Sequence, residues 1–247
     1  MIRRLVSAAL LALPLCAATT VLYDDALPSG PGAQGWLIFG DNSFGTGASQ
    51  TLVAGGTRLT TNAATSAGYA NRAPFFNTLV NAGFPAMNRT PGYALQFELL
   101  VNSETHANAN RAGFSVILLS EDLFGIELGF WANEIWAQSG PGFTHAEGVS
   151  FDTTAAQRLY ELQILGSNYR LLANGSEILS GVLRNYSSFG YPYNLSRFVF
   201  LGDDTSSAGA DVVLGDVTLL TDVPEPAGAG VIALAGLLWM VGKRRRA

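Results

Sequence analysis

One cysteine, Cys16, occurs in 247 residues. A lone thiol closes no intrachain disulfide. Because Cys16 lies in a leader-like segment expected to be removed, a Cys nucleophile and a thiolate metal site are excluded for the rest of the chain. Histidine is nearly as scarce: His106 sits in a polar loop and His145 in Gly-Phe-Thr-His-Ala-Glu-Gly. They show no His-x-His or His-Glu-x-x-His spacing, and neither adjoins a Gly-x-Ser-x-Gly turn, so neither a zinc site nor a serine triad is indicated. Lysine is missing between the ends. Once Arg3, Arg4 and Lys243–Arg246 are set aside, eight arginines face eighteen acids over residues 19–222, a net of −10. With no basic patch to meet phosphates, a nucleic-acid partner is not expected. No Gly-rich loop opens a helix after a strand, which removes nucleotide binding.

The two ends differ from the body. Arg3 and Arg4 precede an apolar run, Leu5 to Leu15, that closes on Leu15-Cys16-Ala17-Ala18. A positive start, an apolar centre and small residues at the end form a secretory signal, with cleavage expected after Ala18. The apolar stretch is roughly half of the ~20 residues that a spanning helix needs, which argues against a retained anchor. Residues 1–18 are thus read as a signal peptide handled by the Sec translocon and signal peptidase. At the other end, residues 223–247 run Pro224-Glu225-Pro226, then Ala227 to Gly242 without a charge, then Lys243, Arg244, Arg245 and Arg246. The uncharged run would extend ~24 Å as a helix, at ~1.5 Å per residue. With its basic flank held on the cytoplasmic side, it is expected to be a transmembrane segment over 227–242.

This three-part tail resembles the PEP-CTERM sorting signal of Gram-negative bacteria. The resemblance implies an exosortase as partner, reading Pro224, Glu225 and Pro226 together with the basic cluster. It also implies export in bacteria that build an exopolysaccharide matrix. The body would be anchored to the inner membrane by its C-terminal helix before processing, and would lie at the cell surface or outside the cell afterwards. A Pro-x-Pro segment cannot be drawn into the helix that follows it, which keeps the recognition residues accessible.

Residues 19–222 read as one all-β domain. Tyr93 to Val101 is apolar and aromatic, with Gln96 and Glu98 on one face. Gly125 to Trp131 alternates Ile126, Leu128 and Phe130 against Glu127, Gly129 and Trp131. Phe130 to Trp136 is expected to fold as a hairpin, and Leu159 to Gly181 as a meander turning at Gly166-Ser167-Asn168 and at Asn174-Gly175. A helical turn or two is expected near Pro74 to Ala82. The succession of pieces from Gly92 to Leu220 resembles the concanavalin A/laminin-G-like jelly roll. That resemblance implies a β-sandwich whose last strand returns beside its first.

Three functional readings are left open. The first is a non-catalytic structural or carbohydrate-binding module, with a ligand surface at Glu127, Trp131, Glu134, Trp136 and His145. The second is a carbohydrate-active hydrolase in which Glu127 and Glu134 approach across the hairpin as paired carboxylates. The third is a calcium-dependent lectin or adhesin using Asp203, Asp204 and Asp211, since calcium takes six to eight hard oxygen ligands.

Overall fold

The computed structural model describes residues 17–39, 47–73 and 78–222. The expected signal core, the Pro-Glu-Pro motif and the 227–242 segment therefore lie outside the described residues. Within them, no helix is long and apolar enough to cross a membrane.

Two antiparallel sheets form a β-sandwich. The first runs, edge to edge, β15 (Ser176–Val182), β14 (Asn168–Ala173), β13 (Arg158–Leu165), β8 (Tyr93–His106), β18 (Ala208–Thr221), β4 (Gly56–Thr60) and β3 (Ser49–Val53). β1 (Ala18–Tyr23) also pairs with β18, so the expected cleavage after Ala18 falls at the first residue of a strand. The second sheet runs β12 (His145–Ser150), β11 (Glu134–Gln138), β10 (Phe124–Phe130), β9 (Ser115–Leu119), β17 (Phe198–Asp203), β5 (Ala67–Ala70) and β2 (Leu37–Phe39). The two-residue β16 (Arg184–Asn185) is added to β10. A small ribbon pairs β6 (Arg72–Ala73) with β7 (Thr78–Leu79), so of the described part of the stretch read as helical, residues 78–82, the first two are strand and the rest bend or turn.

The sequence patterns account for this arrangement. In the meander, Leu165 pairs with Asn168 and Ala173 with Ser176, leaving two-residue turns at Gly166-Ser167 and Asn174-Gly175. Asn174 and Gly175 both have positive φ, 47° and 80°, the conformation such tight hairpins require and that Asn and Gly tolerate. The last strand of the body, β18, lies against both β8 and β1, as expected for a jelly roll.

The core lies between the sheets. Phe97 and Tyr160 from the first sheet meet Phe130 from the second, with ring centroids 5.3–5.9 Å apart. Ile126 and Leu128 join Phe130 on the inward face of β10. Outside the core the sheets diverge. The outer face of the first is polar, with Gln96 donating to Glu161 at 2.7 Å. The outer face of the second is covered: Ile117, Leu119, Phe198 and Phe200 pack beneath Tyr186, Tyr193 and Leu195 from the segment between β16 and β17. A sheet buried on both faces, with polar groups among the buried ones, is where this fold departs from simple in/out alternation.

Candidate functional site

The outer face of the second sheet carries the chemistry. Strand alternation sends Ile126, Leu128 and Phe130 into the core and turns Glu127, Gly129 and Trp131 outward. The hairpin register sets Gly129 opposite Trp136 and Phe130 opposite Ile135. A Cβ on Gly129 would lie 2.7–2.9 Å from atoms of the Trp136 indole, so the glycine is what lets that ring lie across the ladder.

At the turn end of the hairpin the expected ligand surface largely assembles, but it is packed rather than open. Trp136 is 1 % exposed and Trp131 9 %. His145 stacks on Trp136 at 4.4 Å and meets Trp131 edge-on at 5.0 Å. Its Nε2 lies 3.1 Å from Glu134. His106, read as a plain loop residue, stacks on Trp131 at 4.0 Å, with Nδ1 3.0 Å from Glu104. Capped by two imidazoles, these indoles present no free face to a sugar. Glu127 does not join them. Trp131 closes onto Glu134, which leaves Glu127 four residues down the ladder, roughly 13 Å at ~3.3 Å per residue. The Glu127–Glu134 hydrolase pair is therefore corrected: the residues share a face, but strand geometry holds them too far apart.

Glu127 has another partner. It is 4 % exposed, and the Tyr193 hydroxyl donates to its Oε2 at 2.5 Å. The same hydroxyl lies 3.2 Å from Asp204 Oδ2. One phenolic proton cannot serve two carboxylates, whereas a proton on one carboxyl satisfies both contacts. Burial, then the charge of Asp204, pushes the Glu127 carboxyl well above the usual range, against the Tyr193 hydrogen bond and Arg111. Glu127, Tyr193 and Asp204 therefore form a chain in which the two carboxyls, both shifted towards the protonated form, share one proton. Asp204 is also shifted up, chiefly by burial, with Tyr193 and Ser115 acting in the opposite direction. Beside this chain Tyr186 donates to the Gln138 carbonyl at 2.7 Å. The Gln138 side-chain amide and the Trp136 indole N–H are buried without hydrogen-bond partners.

Asp204 opens onto a pocket of about 160 Å³ lined by Phe39, Ile117, Tyr191, Phe198 and Phe200 among others. Tyr191 is 52 % exposed and Phe39 42 %, so two of its aromatic walls stand at the surface. Apolar walls around a few polar groups, here Asp204 and Ser66, are the usual make-up of a small-ligand site.

The calcium reading is also corrected. Asp203 is fully buried, its Oδ1 accepting from the Thr205 amide at 3.0 Å while Oδ2 has no partner. Burial lifts its carboxyl to about 8. Asp211 belongs to the first sheet, ion-paired with Arg58 and hydrogen-bonded by Asn102 at 3.0 Å. The three do not converge. Among the described residues, the acids that do approach within 4.8 Å as a trio are Asp24, Asp25 and Asp216, the last on β18 of the first sheet. Tyr191 and Tyr193 went unread in the sequence, and Phe198 and Phe200 were read as strand residues without a role in the site. The dense aromatics of Asn-Tyr-Ser-Ser-Phe-Gly-Tyr-Pro-Tyr, in a loop rather than a strand, were the available signal.

No family model and no curated protein matches the chain. Solved structures match it in fold. A carbohydrate esterase from the Shiga toxin-encoding bacteriophage phi24B is 13 % identical, with 83 % of this chain and all of that chain covered and a TM-score of 0.55. The apo form of the transglycosylase Crh5 is 12 % identical over 83 % of this chain and 85 % of its own, at a TM-score of 0.51. The same enzyme in complex with NAG is 11 % identical over the same shares of the two chains, at 0.50. At such identities the likeness is one of architecture: the chain has a jelly-roll β-sandwich fold.

Proposed function

We propose that this protein is an exported carbohydrate-binding β-sandwich of the cell envelope or extracellular matrix, holding its saccharide in the pocket on the outer face of the second sheet. The observation that carries this reading is the pocket itself. A sugar ring needs a flat apolar wall for its C–H face and an anchored acceptor for its hydroxyls, and here aromatic residues and Asp204 line one pocket. The packing of Trp131 and Trp136 moves the site away from the hairpin and towards Tyr191. By analogy of fold, the names of the similar structures, a carbohydrate esterase and a transglycosylase, point to the same ligand class. Electrophoresis of the full-length chain through gels carrying different polysaccharides tests it. Retardation by at least one glycan, lost in Tyr191→Ala, is expected; equal mobility in every gel would refute the reading.

The address is part of the same proposal. The leader would direct the chain through the Sec translocon, and residues 223–247 would hold it at the inner membrane until an exosortase acts at Pro224-Glu225-Pro226. Exopolysaccharide is then the natural partner. Fractionation of cells expressing the chain, with and without a co-resident exosortase, checks this: a membrane-bound, unprocessed form should accumulate only without the enzyme. Identical fractions in the two strains would overturn it.

A hydrolytic reading has one specific observation in its favour. The Glu127–Tyr193–Asp204 chain couples a second acid to one that lines the pocket, an arrangement suited to a general base acting on water. Release of reducing ends or acyl groups from a retained glycan, abolished in Asp204→Asn, would establish it. Binding without turnover would leave the module non-catalytic.

A further inference from the structure

The charge of the pocket narrows what it can take. Among the described residues that line it, Asp204 is the one charged group, and four aromatic residues, Phe39, Tyr191, Phe198 and Phe200, stand around it. Arg111 influences both Glu127 and Asp204 but does not line the pocket. Its Nη1 is committed to the carbonyls of Asn110 and Phe143 at 2.6 and 3.1 Å, and its guanidinium lies over the Phe143 ring at 4.9 Å. Among the described residues no cation forms an ion pair with Asp204, which leaves that position to a ligand. Tyr193 and Ser115 hold the carboxylate by hydrogen bonds, so it is fixed before any ligand arrives. The volume, about 160 Å³, has room for a small polar head and not for a long acyl chain. Around it the body carries a net of −10, a field that concentrates cations and repels polyanions.

Aromatic side chains attract a cation through their ring quadrupoles, and a carboxylate pairs with it directly. We propose that this pocket takes an organic ammonium group, the amine of a de-acetylated hexosamine polymer being the carrier if the carbohydrate reading above, on which that part rests, is right. A uronate polymer would bring its own carboxylate against Asp204 and is disfavoured. The N-acetylated sugar loses the charge and with it the pairing.

Isothermal titration of the purified full-length chain distinguishes the sources. The probes are a glucosamine oligomer below the pKa of its amine, the N-acetylated oligomer of equal length, an oligouronate and choline chloride. Expected is a preference of about tenfold or more for the amine over the acetylated oligomer, the ratio that roughly 1.4 kcal/mol supplies. The preference should vanish in Asp204→Asn, and affinity should fall in Tyr191→Ala, whose exposed position leaves folding untouched. Choline binding through Asp204, with no oligomer bound, would uphold the ammonium site and refute the saccharide as its carrier. Equal affinity for the amine and acetylated oligomers, or tighter binding of the oligouronate, would overturn the ammonium inference while leaving the carbohydrate reading standing. Binding of none of the four would refute the ammonium site, and the gel retardation above then decides the carbohydrate reading separately.

Discussion

Replacing Tyr193 with Phe removes one oxygen from the centre of the site and leaves the ring. The ring packs on Phe143 at 5.2 Å and Tyr186 at 5.6 Å, and Phe fills that space equally well. The change therefore isolates the hydroxyl. Its 2.5 Å contact with Glu127 belongs to a network carrying a net charge, and hydrogen bonds to charged groups contribute about 1.5–3 kcal/mol. The 3.2 Å contact with Asp204 adds about 0.5–1 kcal/mol. Glu127 is then left buried without the phenol, so an expected loss of about 2–4 kcal/mol follows, or roughly 4–16 °C in Tm for a domain of this size. Tyr186→Phe provides the control. That hydroxyl donates one good neutral bond, to the Gln138 carbonyl at 2.7 Å, and should cost only about 1 kcal/mol. Urea unfolding of the two variants beside the parent, at one pH, measures both. A Tyr193→Phe loss no larger than that of Tyr186→Phe would refute the proton-sharing chain.

Asp203→Asn should remove a pH dependence. The folded carboxyl, lifted by burial to about 8, holds a proton that the unfolded chain releases near pH ~4. Its contribution to stability is therefore full below about pH 4 and is lost as pH rises towards about 8, at up to ~1.4 kcal/mol per unit. Unfolding free energies of the variant minus the parent should grow with pH across that window, and a constant difference would contradict a carboxyl held protonated by burial. Gly129→Ala should cost about 1–3 kcal/mol by driving Trp136 off the ladder. A red shift of tryptophan emission should accompany the loss, and unchanged stability and emission would show that the indole does not lie over Gly129. Tyr191→Ala should leave the urea midpoint within about 0.5 kcal/mol of the parent, as exposed positions do, while glycan retardation is lost. Retained retardation would move the site elsewhere.

The all-β sandwich was legible because its signals are local. Period-two alternation at Ile126, Leu128 and Phe130 and the Asn174-Gly175 turn each fix conformation within a few residues. The stretch near Thr78 was misread as helical because its strand exists only through pairing with Arg72–Ala73. The site was harder to read for a related reason. Alternation put Glu127 and Trp136 on the outward face, but it cannot say what covers that face. The covering segment, Tyr186 to Leu195, arrives from about 60 residues away. Asp203, Asp204 and Asp211 look like one acidic loop in sequence. In space Asp211 pairs with Arg58, 153 residues distant, across a different sheet. Glu127 and Glu134 look like facing carboxylates until the register of the hairpin separates them.

The location of the ligand tests the account most directly. A crystal structure of the protein with a retained oligosaccharide should show a sugar ring against Tyr191, with a hydroxyl or amine on the Asp204 carboxylate. A ring seated instead on the polar face of the first sheet, or at the Trp131–His145 cluster, would contradict it.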